Sequence, residues 1–194
     1  MFDRLAINSD NIVDYIADIF SRRGAESYMG EDVSMSQHML QAAQAAEDEG
    51  ADADLVVAAL LHDIGHFSSE FSDTELMQGT DNYHEEAGAS FLAKFFPPSV
   101  TEPVRQHVAA KRYLCSVNPD YMSSLSEASK YTLNVQGGPM TDAEVRAFEQ
   151  NPYLERCIKV RIWDDRGKDP ARSATEFSHF HELVESLVVR QESN

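Results

Sequence analysis

Histidine and aspartate side chains with metal-ligand chemistry recur along this sequence. The densest group is His62-Asp63, followed by His66, at the end of an apolar segment. Imidazole and carboxylate groups together suit iron, manganese or zinc. Taken alone, however, this group is better explained by histidines at the carboxyl end of a helix, where positive charge is favourable.

Four imidazoles and two carboxylates taken together favour a metal centre over isolated core histidines. Three further histidines lie near the apolar stripe of other predicted helices or at its start, and an aspartate follows the tryptophan late in another helix. A structural zinc takes four ligands, whereas six are enough for two metals about 3.5–4 Å apart that share a carboxylate. The predicted ligands are His38, His62, Asp63, His84, His107 and Asp164.

Two basic residues lie one helical turn from candidate ligands. Lys111 follows His107 by four residues, and Arg161 precedes Asp164 by three. Residues at these spacings share a helix face. A lysine can neutralise a bound anion, and an arginine can hold a PO₃ group through two hydrogen bonds. Both could be ordinary surface charges, but their position beside candidate ligands in an acidic chain favours an anion-binding site.

Composition and charge limit the classes of partner. The chain has 194 residues, of which 42% are hydrophobic and 25% charged, as expected for one globular domain. Its formal net charge of −17 disfavours nucleic acid and anionic membranes as partners. The longest apolar run, Leu55–Leu61, is too short to span a bilayer, and no secretion signal is visible. Cys115 and Cys157 form no disulfide framework, so a cytoplasmic location is predicted.

The elements that must position these residues are predicted to be helices, because apolar residues recur with helical spacing nearly everywhere. Helices are predicted after the caps Ser9 and Asp10, from Ser34 to about Glu49, from about Asp52 to His62, from His84 to Phe95, from Thr101-Glu102-Pro103, from Pro119 to about Leu133, from Thr141, from Asn151-Pro152 and over Phe177 to Val188. The polar stretch from Phe67 to Asn82 is predicted to be a loop that could cover a site. The sequence therefore predicts a single all-α domain over residues 1–194.

The order of these motifs resembles a known family. HD-domain proteins share the pattern H…HD…D, and the fuller order H…HD…H…H…D resembles their mixed-valent diiron oxygenase branch. That branch includes myo-inositol oxygenase and the hydroxyphosphonate dioxygenases, and the closer match is to those acting on 2-amino-1-hydroxyethylphosphonate. The resemblance extends from about Tyr28 to Asp165 and is carried by Tyr28-x-Gly30-Glu31, His62-Asp63-x-Gly65-His66, His107-Val-Ala-Ala-Lys111-Arg-Tyr-Leu, Gln136-Gly-Gly-Pro-Met140 and Arg161-x-Trp163-Asp164.

The resemblance implies an HD-domain helical bundle with a specific division of roles. The six ligands above would hold an Fe(II)/Fe(III) pair, with Asp63 bridging the two irons. A phosphonate would be held by His66, Lys111, Ser129 and Arg161, with Thr132 and Gln136 nearby. Tyr28 would occupy an iron position until substrate displaces it, and Glu31 would face the cationic end of the substrate. The reaction implied is oxidative cleavage of a C–P bond with O₂.

The cationic end of the substrate distinguishes two versions of this reaction. A trimethylammonium group would give glycine betaine and phosphate, whereas a primary ammonium would give glycine and phosphate. The acidic pair Glu31-Asp32, preceded by Met29, favours the bulky methylated cation. The predicted partners are therefore a small zwitterionic hydroxyphosphonate, supplied by a hydroxylase, and O₂.

An HD-type metal-dependent phosphohydrolase is the main alternative. It would share the fold and would also release phosphate, but it would not need O₂. A non-catalytic metal-binding module and an oxygenase acting on a cyclitol are further alternatives, and the predicted anion clamp disfavours both.

Overall fold

The computed structural model describes residues 7–28, 30–68 and 83–190. Its helices are α1 (Ile12–Arg23), α2 (Met35–Asp48), α3 (Ala53–Leu61), α4 (Gly65–Ser68), α5 (His84–Leu92), α6 (Pro98–Val117), α7 (Pro119–Ser124), α8 (Glu127–Val135), α9 (Asp142–Phe148), α10 (Leu154–Arg166) and α11 (Phe177–Ser186). In these three ranges, strand-like pairing is confined to a single bridge between Ser27 and Ser34. The predicted all-α fold is confirmed.

Helix α3 lies at the centre of the bundle. Its residues Leu55–Leu61 are all buried, as a helix that is apolar on every side requires. Helices α2, α6 and α10 pack against it, and α10 also packs against both α2 and α6. As a result, the carboxyl end of α3 lies among polar side chains that the surrounding helices contribute.

Side-chain caps define several of the helix starts that the sequence predicts. Ser34 and Gln37 form a capping box before α2, and Thr141 and Glu144 form another before α9. Asp52 accepts a hydrogen bond from the backbone of Leu55 and so caps α3. These boundaries are confirmed because the signals that set them lie within four residues of each other.

The prediction that α6 begins at Thr101-Glu102-Pro103 is wrong. The helix begins at Pro98, and Thr101 is buried rather than capping. Pro103 therefore lies inside the helix, where its missing N–H cannot bond the carbonyl of residue 99. That carbonyl accepts a hydrogen bond from Arg156 Nε at 3.4 Å, so a contact between α6 and α10 offsets the loss.

Other predicted boundaries shift for similar reasons. The single helix predicted from Pro119 to Leu133 is two helices, because Ser126 accepts a hydrogen bond from the backbone of Ser129 and starts α8. Helix α1 begins after Asn11 without a side-chain cap, since the predicted cap Ser9 donates to the carbonyl of Val189 instead.

Two further differences concern a helix start and a loop. Helix α10 begins at Leu154, slightly after the predicted Asn151-Pro152. The predicted loop from Phe67 to Asn82 overlaps α4 at its first two residues, and its remaining residues, like Met29, lie outside the described residues. In the part of the chain described, no helix combines the length and the apolar character that crossing a membrane requires.

Candidate metal centre and anion pocket

The six predicted ligands converge from separate elements into one buried cluster. Each is at most 3% exposed to solvent. His38 belongs to α2, His62 ends α3, Asp63 follows it, His84 begins α5, His107 lies within α6 and Asp164 lies near the end of α10. The cluster therefore depends on the packing of four helices, α2, α5, α6 and α10, around the end of α3.

One half of the cluster consists of His38, His62 and Asp164 around one oxygen of Asp63. The Nε2 atoms of His38 and His62 are 2.9 Å apart, and each lies 3.3 Å from Asp63 Oδ2. Asp164 Oδ1 is 3.5 Å from His38 Nε2, and Asp164 Oδ2 is 3.9 Å from His62 Nε2. Two imidazoles and two carboxylates thus face one point.

The other half is formed by His84 and His107 around the second oxygen of Asp63. Their Nε2 atoms are 3.2 Å apart and lie 3.2 and 3.3 Å from Asp63 Oδ1. His66 stacks on His84 with ring centroids 4.0 Å apart, and its Nε2 is 3.8 Å from the same oxygen. Asp63 is therefore shared between two pairs of histidines, one at each oxygen.

Backbone carbonyls fix the orientation of three of these imidazoles. The Nδ1 atoms of His62 and His107 lie 2.8 and 2.7 Å from the carbonyls of Ala59 and Val104. His38 Nδ1 lies 3.0 Å from the carbonyl of Gly167. Because a carbonyl can only accept, Nδ1 carries the proton and Nε2 presents a lone pair to the cluster. This is the arrangement that metal-bound histidines require.

The cluster fits metal ions better than it fits a closed hydrogen-bond network. Metal–nitrogen bonds of about 2.1 Å place adjacent ligand atoms roughly 3 Å apart, which matches the spacing of both histidine pairs. Within the described residues, no group donates a hydrogen bond to the buried Asp63 Oδ2. A buried carboxylate oxygen without a donor is costly unless a cation satisfies it.

The electrostatics point the same way. Burial raises the pKa of Asp63, but the charge of His62 and the close imidazoles of His107 and His38 outweigh it and hold that pKa well below its usual range. Burial and the neighbouring His66 lower the pKa of His84 to about 3, which leaves its imidazole neutral. Burial lowers the pKa of His62, but Asp63 and Asp164 raise it to about 8. A metal ion at this position would replace the proton that these carboxylates attract.

Two glycines allow the backbone to approach the cluster. A Cβ on Gly167 would lie 2.6 Å from the carbonyl oxygen of His38 and 2.9 Å from its Nδ1. A Cβ on Gly65 would lie 1.9 Å from the carbonyl oxygen of His84. The histidines of α2 and α5 can therefore take their positions only because these residues lack a side chain.

A cavity that is partly open to solvent lies against the metal-ligand cluster formed by the six predicted ligands. Three cationic side chains line it, namely Lys111, Arg161 and Lys168. Its wall also contains Tyr28, Glu31, His66, Ser129, Thr132 and Gln136. A concentration of basic groups beside the cluster is notable in a chain of net charge −17 and suits an anionic ligand.

Lys111 and Arg161 differ in how they are held. Lys111 Nζ donates to Thr132 Oγ1 at 3.0 Å, and burial together with the charge of Arg161 lowers the pKa of Lys111 to about 7. Arg161 Nη1 donates to Asp164 Oδ2 at 2.5 Å, and the rest of the guanidinium bonds Asp165 and the Tyr121 hydroxyl. Arg161 therefore orients a candidate metal ligand as well as facing the cavity.

Tyr28 and Glu31 lie on a tight turn between α1 and α2. The ring of Tyr28 stacks on His38 at 3.9 Å, and burial, with the charges of Asp63 and Asp164, raises its pKa well above the usual range. Glu31 Oε1 accepts a hydrogen bond of 2.5 Å from the Ser126 hydroxyl. The turn thereby places both predicted residues in the wall of the cavity.

The structure brings together all but one of the predicted site residues. Asp32 is the exception, since it is exposed and does not line the cavity. Sequence reasoning missed Lys168, which is four residues after Asp164 but beyond the end of α10, where helical spacing no longer applies. It also missed Ser126, whose side chain accepts a hydrogen bond from the backbone of Ser129 and caps α8.

Comparison with known proteins identifies the family of this chain. Residues 35–165 match the HD domain. This chain belongs to the HD-domain family. The segment that matches the HD domain contains all six residues of the metal-ligand cluster, so the sequence-based prediction of the family is confirmed.

Two curated relatives of this HD-domain protein are similar over most of their length. A [1-hydroxy-2-(trimethylamino)ethyl]phosphonate dioxygenase (glycine-betaine-forming) from Leisingera caerulea is 50% identical over 94% of this chain and 93% of the relative. A hydroxymethylphosphonate dioxygenase from Gimesia maris is 45% identical over 84% of this chain and 82% of the relative. Both relatives are dioxygenases that act on phosphonates.

Proposed function

We propose that this protein is a diiron dioxygenase that cleaves the C–P bond of (1-hydroxy-2-(trimethylammonio)ethyl)phosphonate with O₂ to give glycine betaine and phosphate. One observation carries the proposal: a carboxylate shared by two pairs of histidines borders a cavity lined by three cations. The activity named for the relative from Leisingera caerulea supports the choice of substrate.

The metal in this proposal is an Fe(II)/Fe(III) pair held by His38, His62, Asp63, His84, His107 and Asp164. Two irons would supply the redox chemistry that O₂ and a C–P bond require. The protein's own contribution is to direct the Nε2 atoms of His38, His62 and His107 toward the cluster through their carbonyl partners, and to hold Asp63 between the two histidine pairs.

The cations of the cavity would hold the phosphonate. Lys111 and Arg161 would neutralise its charge, and His66 and Ser129 would complete its hydrogen bonds. Thr132 takes a supporting role, because its hydroxyl accepts from Lys111 and donates to the carbonyl of Ser129. Gln136, also in the cavity wall, lies at the end of α8 near this position. Together these groups would orient the substrate's C1 toward the metal-ligand cluster.

Glu31 would face the quaternary ammonium. Its carboxylate already accepts a short hydrogen bond from Ser126. A trimethylammonium group has no N–H to donate and needs only nearby negative charge and contact surface. It can therefore bind beside Glu31 while the bond from Ser126 is kept. The activity named for the relative from Leisingera caerulea favours the methylated substrate over 2-amino-1-hydroxyethylphosphonate.

The substrate's C1 hydroxyl indicates the preceding reaction. An enzyme that consumes a 1-hydroxyphosphonate needs a hydroxylase to install that group, and we propose that this protein acts after one. Its two cysteines, Cys115 and Cys157, are buried free thiols, which fits the predicted cytoplasmic location.

Dependence on O₂ tests the reaction class. Turnover of the trimethylammonium substrate should release phosphate and glycine betaine in air and should stop in an argon glovebox. An HD-type phosphohydrolase would continue without O₂, so anaerobic phosphate release would overturn the proposal.

Two further measurements test the substrate and the metal. The ratio of kcat/KM for the trimethylammonium and primary-amine substrates should favour the former, and a clear preference for the primary amine would reverse the assignment.

Electron paramagnetic resonance of aerobically purified protein should give a spin-coupled Fe(II)/Fe(III) signal that shifts when hydroxyphosphonate is added. A protein that holds a single zinc would contradict the metal assignment.

A further inference from the structure

Lys168 is a nearly buried lysine at the edge of the cavity. It follows the last residue of α10 by two positions, and its side chain is 10% exposed. Its ammonium lies 3.2 Å from Asp164 Oδ1 and 3.3 Å from Asp165 Oδ1. It also donates a hydrogen bond of 3.0 Å to Ser129 Oγ. Lys168 therefore connects the end of α10 to the first turn of α8.

The direction of this hydrogen bond decides what Ser129 can do. An ammonium only donates, so the Ser129 oxygen must accept, and the hydroxyl keeps its own proton for another partner. Ser129 is 6% exposed and lines the cavity. Its hydroxyl is thus prepared to donate to a ligand oxygen in the cavity.

Thr132, on the next turn of α8, has the opposite arrangement. Its oxygen accepts from Lys111, but its proton is already donated to the carbonyl of Ser129 at 3.1 Å. Of the two hydroxyls, only that of Ser129 keeps a proton that these bonds do not use. The contrast comes from the lysine partners and from the backbone, not from the hydroxyl groups themselves.

We propose that Lys168 is a positioning residue that makes Ser129 a hydrogen-bond donor to the phosphonate of the substrate. The inference rests on the proposed function, because it takes the phosphonate to be the anion bound in the cavity. Lys168 acts through Ser129: its ammonium holds the serine oxygen, and its pairing with Asp164 and Asp165 keeps the ammonium in place.

Binding of methylphosphonate without O₂ tests this proposal separately from catalysis. The dissociation constant is measured by calorimetry on metal-loaded protein under argon, so no turnover is needed. Lys168→Met and Ser129→Ala should each weaken binding by roughly tenfold, as expected for one charge-assisted hydrogen bond. The double variant should bind no more weakly than either single variant, because both remove the same bond.

The outcomes separate three roles of Lys168. If Lys168→Met weakens binding further in the Ser129→Ala background, the lysine contacts the anion directly and the route through Ser129 is wrong. If it lowers metal content or melting temperature but leaves the dissociation constant of loaded sites unchanged, the lysine is only structural. If methylphosphonate binding is unchanged in every variant, the proposed role of Lys168 is wrong. If the wild-type protein binds methylphosphonate but does not turn over the hydroxyphosphonate with O₂, the proposed function is wrong.

Two further variants control for charge and folding. Lys130→Met removes a cation from α8, the helix that carries Ser129. Lys130 pairs with Glu127 outside the cavity, so this change should leave methylphosphonate binding unchanged. Lys168→Arg keeps a charged donor and should recover most of the affinity. In the full reaction, Lys168→Met should raise KM for the hydroxyphosphonate more than it lowers kcat, since the bond holds the substrate rather than the reacting atoms.

Discussion

Backbone carbonyls decide the chemistry of the imidazoles in the metal-ligand cluster. Two of these carbonyls are three residues before the histidine on the same segment, as in the pairs Ala59–His62 and Val104–His107. The third is distant in sequence, since His38 uses the carbonyl of Gly167. In each case the protonated nitrogen turns outward, so the lone pair faces Asp63. The two halves of the cluster share the carboxylate of Asp63.

Removing the shared carboxylate should therefore affect both metals. Asp63→Ala should reduce bound metal from about two ions per chain to nearly none, because each histidine pair loses an oxygen ligand at once. Asp164→Ala removes a carboxylate from the His38–His62 half only, so about one ion should remain. Elemental analysis after purification in iron measures both, with the exposed Asp142→Asn as control. Retention of one ion in Asp63→Ala would show that the carboxylate does not bridge.

Lys111 should make substrate capture sensitive to pH. Burial, with the charge of Arg161, lowers its pKa to about 7, so the side chain is charged below that pH and neutral above it. A phosphonate dianion needs the charged form. We expect kcat/KM to fall as pH rises above about 7, by up to about tenfold per unit. Lys111→Arg stays charged, and its profile should lack this decline. If the arginine variant keeps the same decline, another group is responsible.

At the scale of elements, the helices that the sequence predicted best are those with local signals. The capping boxes of α2 and α9 set their own starts, and the apolar run Leu55–Leu61 identified the central helix. The start of α6 was missed because it depends on Pro98 and on a tertiary bond from Arg156, which compensates for Pro103.

The residues of the candidate site also divide into those that the sequence could predict and those that only tertiary packing brings into place. The convergence of the six candidate ligands could be predicted because their residue types are few and their order resembles a known family. Lys168 could not, because it follows the end of α10, and only the packing of α10 against the rest of the bundle brings it to Ser129. Asp32 was assigned to the site from its position beside Glu31, but the tight turn directs only one of these two acids into the cavity.

The junction between α10 and α2 offers a test of how an element positions a ligand. Gly167→Ala would place a methyl group 2.6 Å from the carbonyl oxygen of His38, so the two segments must separate. We expect a loss of stability of about 1–3 kcal/mol, as for other overpacked sites, together with weaker retention of the metal near His38. Thermal unfolding and metal content measure the two effects.

Gly138→Ala is the matched control for that variant. Its backbone has a positive φ of 72°, but a Cβ there meets no atom within 4 Å. The change should therefore cost about 1 kcal/mol through backbone conformation alone and leave the metal content unchanged. If both glycine variants lost metal equally, general destabilisation and not the contact with His38 would be the cause.

At the scale of the whole molecule, the charge of the protein and the charge of its ligand oppose each other. The net charge of −17 repels an anion at long range, whereas Arg161 and Lys168, together with Lys111 when it is protonated, attract it inside the cavity. Salt screens these two interactions unequally. The Debye length falls from about 30 Å at 0.01 M to about 8 Å at 0.15 M, so distant acids are screened far more than cations in contact with the ligand.

Added salt should therefore strengthen phosphonate binding, contrary to the usual behaviour of anion sites. Between 0.01 and 0.15 M sodium chloride, we expect the dissociation constant of methylphosphonate, measured under argon at pH 8, to fall by a few fold. The trimethylammonium substrate carries one fewer net negative charge at this pH, so its dissociation constant should change by a smaller factor. A rise in both dissociation constants would mean that the cations of the cavity, and not the acidic surface, dominate the approach of the ligand.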